Sequence, residues 1–365
     1  MGLFSKPEEK KYLGIDIGGS SVKMVELSNV KGRAQLETYG FLERSIKVVG
    51  ENLLDKPDEM AEAIKRVAER AKVTSRDAVA ALPASAVFNT ILNLTGLTKR
   101  DLAAMKRVTS AVEGEAHKVL PMPLEDMVLD WKIINGQTGT EKPDDKVKNV
   151  QILLNAAAKS LVKKYIEIFK QAGFNLLSLE TEAFGMSRSL VGKDTGTVLV
   201  VDIGAANTDI FIMDKMIPVL TRTVDTGGYK ITKAFSDTLG ITLEQAEQFK
   251  RDLESYRERL PDGKLVPDLV DLILTPIVKE VKYLIEFFGQ QSGNEGKKIE
   301  RIILSGGTAK IFNLPEYFTG IFNIRTFLGN PWARIIYPEE LRPALDNCGS
   351  RLAVAIGLAL REIDK

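Results

Sequence analysis

A chain of 365 residues with 50 lysines and arginines against 49 aspartates and glutamates has no net field, so charge alone draws it neither to nucleic acid nor to an anionic membrane. Its 44% hydrophobic content is enough for two or three cores, and its single cysteine, Cys348, excludes an internal disulfide framework and a cysteine-rich metal site, which fits a reducing compartment. The longest apolar runs, such as 352–360, fall far short of the roughly 20 residues of a membrane-spanning helix, so no direct membrane insertion is expected.

The opening residues 1–10 lose their apolar character almost at once and read as a disordered tail without a secretory core. Alternation then predicts strands over 13–26 and 35–41, and Met60, Ile64, Val67 and Ala71 recur at helical spacing from Asp58 onward. From Pro83 the order changes to strand 87–94, helix 99–119, strand 127–134 and strand 150–157. This is a β-α-β-β module, its last two strands joined by NGQTGTEKPDDKVK, a composition suited to a mobile hairpin loop. Helix 160–172, closed by Gly173, strand 175–179 and a helix opening near Glu182 return the chain to α/β alternation. A second strand-rich stretch starts at Thr197 and breaks at Gly204 and at Asp214-Lys215. A helical stretch over 229–291, strand 301–304 and a last helix over 351–363 complete the chain.

Two of these segments repeat one another. GIDIGGSSVKMVEL from Gly14 and VVDIGAANTDIFIM from Val200 share Asp-Ile-Gly, small residues, a hydroxyl residue and a following strand. Such self-similarity implies two related halves that face each other with a ligand between them. A glycine turn lets backbone N–H groups approach an anion with no Cβ in the way. Gly18, Gly19, Gly204 and Ala205 are therefore candidate phosphate contacts, with Ser20, Ser21, Asn207 and Thr208 as side-chain donors and Lys23 beside them. Asp16 and Asp202, each on a strand end before its turn, are placed to hold the waters of a magnesium ion. A single Asp-Ile-Gly is equally an ordinary tight hairpin; the second copy shifts the balance. A third glycine signal, ILSGGTAK from Ile303, follows a strand and opens a helix, which leaves Gly306, Gly307 and Thr308 available to a nucleotide.

In this order the three segments resemble the phosphate-1, phosphate-2 and adenosine motifs of the actin, sugar kinase and DnaK-type chaperone superfamily, and the likeness spans nearly the whole chain. ETEAFGMSRSL from Glu180 sits where that superfamily has its connecting helix, and Glu182 matches the acidic residue that polarises the attacking water in bacterial actins. Without the resemblance, Glu182 is also simply an acid at a helix N-terminus. DTGGYKIT from Asp225, with Gly227 and Gly228, and ITLEQAEQFKRDLE from Ile241 look like the segments that receive the nucleoside in FtsA and in chaperones. By that match Glu247 and Lys250 touch ribose and adenine; read alone they are a surface i, i+3 ion pair.

The β-α-β-β module is similar to the extra (SHS2) subdomain of FtsA-like proteins. The opening LFSKPEEKKYLGIDIGGSSVKMVEL and the ending SRLAVAIGLALREIDK resemble the PilM family of type IV pilus assembly proteins, and that ending lacks the linker and amphipathic membrane helix of FtsA. The resemblance implies an α/β actin-like ATPase fold, two related α/β domains around a nucleotide cleft with an FtsA-like β-α-β-β inserted subdomain. It divides the chain into a tail 1–10, a first domain of 11–84, 159–196 and 346–365, the inserted subdomain 85–158, a second-domain core of 197–226 and 298–345, and a helical subdomain 227–297. It further implies a cytoplasmic scaffold of the pilus inner-membrane complex that binds ATP and Mg2+ with weak or no turnover. In the family, the groove between first domain and inserted subdomain takes the cytoplasmic N-terminal tail of the inner-membrane protein PilN, an extended peptide that recruits the scaffold to the inner face of the inner membrane. No nucleic-acid partner is implied, and self-association stays open. So do two other readings: a filament-forming cell-division ATPase of the FtsA kind, and a small-molecule kinase of the same fold, for which no acceptor pocket is legible.

Other conspicuous residues read as structural. His117 is the one histidine and suits the end of a helix. Cys348 and Trp131 read as packing residues, Trp332 as packing or a surface anchor, and Phe287 with Phe288 as core of the long helix.

Overall fold

The computed structural model describes residues 10–46, 49, 53–136, 150–253, 268–291, 294, 296–311 and 313–363. The expected tail and most of the hairpin loop after residue 136 lie outside these. The chain forms two compact units, Met1–Ala84 with Glu167–Lys365, and Ser85–Ile166.

The first unit begins with strands β1 (Lys11–Gly18), β2 (Ser21–Val30) and β3 (Arg33–Glu43), an antiparallel meander. Helix α1 (Pro57–Arg70) follows, with proline and two acids in its first turn and Met60, Ile64 and Val67 buried, the stripe its sequence spacing requires. Strand β4 (Asp77–Leu82) runs parallel to β1 and was not expected. Its residues 78–82 are all buried, so DAVAAL has no polar alternation to betray a strand.

The second unit carries β5 (Val87–Leu94), α2 (Lys99–Ala104), α3 (Lys106–Val119), β6 (Met127–Gly136) and β7 (Val150–Ala158), with the sheet order β5-β7-β6. This is the expected β-α-β-β run with one change: the single helix over 99–119 is broken at Met105, whose φ is +55°. Leu102 and Val108 pack into the same core. Six residues apart, they would stand about 240° round a continuous helix, so the chain must turn between them. Val108, Val112 and Ala116 then lie on Leu92, Leu94, Val150, Ile152 and Leu154. His117 is exposed in the last turn of α3, as expected.

Helix α4 (Lys159–Gln171) ends at Gly173, φ +79°, and leads into β8 (Asn175–Thr181), parallel to β4. The short α5 (Glu182–Met186) runs on into a π-helical turn, Ser187–Val191. A second meander follows, β9 (Thr197–Ile203), β10 (Thr208–Asp214) and β11 (Ile217–Val224), then α6 (Gly228–Leu239), α7 (Leu243–Arg251) and α8 (Asp268–Gln290). Strand β12 (Arg301–Ser305), α9 (Leu314–Phe322), β13 (Thr326–Leu328), β14 (Ile335–Ile336) and α10 (Arg342–Ala359) close the unit. The last helix starts nine residues before its expected first residue, because Leu345 and Cys348 already point into the core that Leu352, Ala355 and Ile356 continue. Trp332 belongs to that core, 1% exposed, with its indole N–H donating to the Leu345 carbonyl, so it is no surface anchor. Among its described residues the first unit thus holds two sheets, β14-β3-β2-β1-β4-β8 and β11-β10-β9-β12-β13. Each starts from one of the repeated hairpins.

Candidate functional site: two facing hairpins

Pairing in the first hairpin sets Asp16 opposite Lys23 and Gly18 opposite Ser21, leaving Gly19 and Ser20 as the turn. The second sets Asp202 opposite Asp209 and Ile203 opposite Thr208, with Gly204 to Asn207 as the connection. The two tips face each other: a Cβ placed on Gly19 would lie 3.8 Å from the Ala206 methyl. Strand β12 runs beside β9, Ser305 next to Asp202, and so delivers Gly306, Gly307 and Thr308 to the same place. Gly306 has φ +88°, and a side chain there would strike the Ile203 carbonyl at 2.4 Å, so glycine is required. Gly204 is the hub. Its carbonyl accepts from the Gly228 N–H at 2.9 Å and from the Thr308 hydroxyl at 3.1 Å. Gly227 and Gly228 leave no room for a Cβ against Ala205 and Thr308, so their smallness already serves this packing. Thr208, expected as a ligand donor, is buried and gives its hydroxyl proton to the Thr226 carbonyl at 2.7 Å.

Behind the turns lies a concentration of charge. The Lys23 ammonium donates to Asp16 Oδ2 at 2.7 Å, while Asp16 Oδ1 is buried with no hydrogen-bond partner among the described residues. Burial pulls the Lys23 pKa down, but attraction to Asp16 and the hydrogen bond, with Asp202 and Glu182 behind them, outweigh it and leave the ammonium above its ordinary value. Desolvation raises Asp202 to about 7, opposed by Lys23 and helped by Asp209. Desolvation also raises Asp209 to about 6, although the Thr223 hydroxyl donates to it at 2.5 Å. Glu182 accepts from the Ala84 N–H at 2.7 Å and is nonetheless pushed well above the carboxylate range, by desolvation first and then by Asp209 and Asp16. The structure therefore brings Asp16, Lys23, Glu182 and Asp202 within electrostatic reach of one another.

Among the described residues no three carboxylates or imidazoles form a ready metal cage. A magnesium ion needs none, since it keeps several waters and takes one or two carboxylates with phosphate oxygens. The unpartnered Asp16 oxygen, with Asp202 nearby, fits that demand.

The family model of the type IV pilus assembly protein PilM matches residues 14–363. The chain belongs to the PilM family. It is 25% identical to the solved structure of a PilM-PilN type IV pilus biogenesis complex, with a TM-score of 0.79, covering 96% of this chain and 98% of that one. A more distant likeness, 14% identical with TM-score 0.55, is to the ethanolamine utilization protein EutJ from Carboxydothermus hydrogenoformans, covering 98% of this chain and 91% of that one. Among curated relatives, cell division protein FtsA of Enterococcus hirae is 24% identical over 359 residues, 88% of this chain and 78% of that protein. The fold of this PilM-family chain is accordingly the expected actin-like ATPase fold, with FtsA-like features.

Two further findings concern residues. Glu247 and Lys250 do not form a surface pair: Lys250 is 8% exposed, and its ammonium reaches Glu247 Oε2 (2.6 Å), Thr232 Oγ1 (2.9 Å) and the Gly228 carbonyl (3.1 Å). All three protons are committed within the protein, tying α7 to the start of α6. Burial lowers the Lys250 pKa against the pull of Glu247. Asp209, by contrast, was absent from the expected site. Comparing the two repeats by identity passes over it because the matching ladder position of the first copy is Lys23; counting ladder positions back from each turn would have found it.

The raised acids make stability depend on pH. An acid whose folded pKa lies above its unfolded value holds its proton more tightly when folded. Its contribution is complete below the ordinary 3.8 of aspartate and is lost as pH climbs towards about 7. The ligand-free protein should therefore lose a few kcal/mol between pH 4 and 7 from Asp202 and its neighbours. Guanidinium unfolding at a series of pH values should show this slope, and Asp202→Asn should flatten it; equal slopes would refute the assignment.

Proposed function

We propose that this chain is an ATP-binding scaffold of pilus assembly that holds the cytoplasmic N-terminal tail of a PilN-type inner-membrane protein. The observation that carries the nucleotide part is the pair of facing hairpins, with Asp16 and Lys23 on one and Asp202 and Asp209 on the other. The turn amides of Gly18, Gly19, Gly204 and Ala205 and the hydroxyls of Ser20 and Ser21 cradle the phosphates. Asp16 and Asp202 hold the waters of Mg2+, whose charge stabilises the carboxylates as anions and offsets their mutual repulsion. Gly306, Gly307 and Thr308 border the nucleoside, with Gly227, Gly228, Glu247 and Lys250 forming the supporting wall.

Glu182 is the residue that orients and deprotonates an attacking water. With its pKa raised well above the carboxylate range, it is a poor base until a cation settles beside it. Turnover is accordingly weak, and ATP serves chiefly to order the two halves. Membership of the PilM family and likeness to the PilM-PilN complex support the partner assignment. Among the described residues no helix is long and apolar enough to cross a membrane, so the partner supplies attachment to the inner face of the inner membrane.

Calorimetric titration with a synthetic peptide of the partner's N-terminal tail tests this reading. Binding should be micromolar or tighter, about 8 kcal/mol, and should change with saturating Mg-ATP. No binding in either condition would reject the partner assignment.

A further inference from the structure

Glu43 is the last residue of β3 and pairs with Ser21 across the ladder, while the next N–H, of Arg44, donates to the Ser20 carbonyl at 2.9 Å. Glu43 therefore stands at the rim of the first hairpin turn. Its carboxylate draws guanidinium groups from two distant parts of the chain. Arg351 of α10 donates Nη1 to Glu43 Oε1 at 2.5 Å, and its side chain lies against Gly307. Arg251, the last residue of α7, places Nη2 3.5 Å from Glu43 Oε2. Arg251 also donates Nε to Glu247 Oε1 at 3.0 Å, and through Glu247 and Lys250 the connection reaches the Gly228 carbonyl at the start of α6. The Gly228 N–H in turn rests on Gly204. A run of ion pairs and hydrogen bonds thus links the first turn to the support of the second.

The joint between Glu43 and Arg251 differs from the rest of this run. Their side chains are 39% and 46% exposed, whereas Lys250 and Glu247 are 9% and 20% exposed. Water can replace the Glu43 to Arg251 contact at little cost, while the buried contacts hold α7 on α6. Arg351 holds the other oxygen of the Glu43 carboxylate by a contact that does not involve Arg251.

We propose that Glu43 and Arg251 form a latch over the nucleotide site, closed when paired and parted when a nucleotide enters or leaves. The proposal rests on the nucleotide reading given above and adds its gate. Neither residue needs to touch the ligand. The latch acts on the rate of exchange, and because the pair is exposed its effect is screened by salt.

Release kinetics test it. The full-length protein is loaded with magnesium and N-methylanthraniloyl-ADP and chased with excess unlabelled ADP. At low salt Arg251→Gln and Glu43→Gln should each release the label about two- to fivefold faster than wild type, the range of one exposed ion pair. The double variant should be no faster than Glu43→Gln, and Arg251→Lys should remain slow. Near about 0.5 M salt all the rates should converge. Equal release from Arg251→Gln and wild type at low salt would overturn the latch, as would a difference that persists undiminished at high salt. Failure of wild type to take up the label would instead reject the nucleotide reading itself, and with it the gate. Matching thermal melts of the variants show that the comparison is between folded proteins.

Discussion

Gly357→Ala should destabilise the first unit by at least about 3 kcal/mol, the upper part of the range for overpacking a core. Helix α10 crosses α5 at this residue, and a methyl group there would sit 1.7 Å from the Gly185 carbonyl oxygen. The obstacle is backbone, so no rotamer change relieves it. The helices must move apart, and the contacts of Ala183, Met186, Val354 and Leu358 in the core beneath them loosen together. On its other side α10 lies as close to β1, where a Cβ on Gly14 would come 2.0 Å from the Ala355 carbonyl. The helix is wedged between two glycine contacts and has nowhere to shift. Gly114→Ala is the matched control: this glycine is exposed within α3 and, among the described residues, has nothing within 4 Å of an added Cβ. Alanine there should stabilise the second unit by roughly 0.5–1 kcal/mol through backbone entropy. Guanidinium unfolding followed in each unit's own transition should move in opposite directions for the two variants. Movement of both in the same direction would contradict the packing account.

The contrast between these glycines shows what the sequence could and could not reveal. Glycines 18, 19, 204 and 306 announce themselves, because each follows an apolar strand and interrupts it. Gly357 sits in an apolar helical run and Gly114 between two glutamates, so the depth of each is legible; that Gly357 has no room for a Cβ is not, because only the approach of another helix decides it. The same division holds elsewhere. Val108, Val112 and Ala116 advertise a helix face, yet the break at Met105 follows from where that face must land relative to Leu102. Strand β4 was invisible because burial on both sides erases alternation. The spacing of Glu247 and Lys250 is legible as a pair, but its depth is set by Thr232 and Gly228 on α6, and sequence spacing carries no information on depth. Local periodicity and turn chemistry are written in the chain; the partner of each surface is not.

Asp16→Asn should reduce the affinity for Mg-ATP about a hundredfold or more, yet change affinity little when magnesium is chelated. Removing one partner from a buried, hydrogen-bonded charge site costs about 2–5 kcal/mol, which is roughly 30- to several-thousand-fold. The isosteric amide keeps an oxygen for Lys23, which also retains the attraction of Asp202 and Glu182, so the ammonium is not left alone. Asp16 is also one of the charges that push Glu182, Asp202 and Asp209 upward. Its neutralisation relieves that repulsion, and the ligand-free variant should unfold within about 1 kcal/mol of wild type at pH 7. These two effects have opposite consequences, which makes the variant informative. A variant that merely damaged the fold would lose nucleotide with and without magnesium and would melt early. One that removes a cation site loses only the magnesium-dependent part of binding and keeps its melt. Isothermal titration with ATP in excess magnesium and again in chelator separates the cases. Unchanged affinity in magnesium would remove Asp16 from the cation site and leave its pairing with Lys23 as a structural contact between the first two strands.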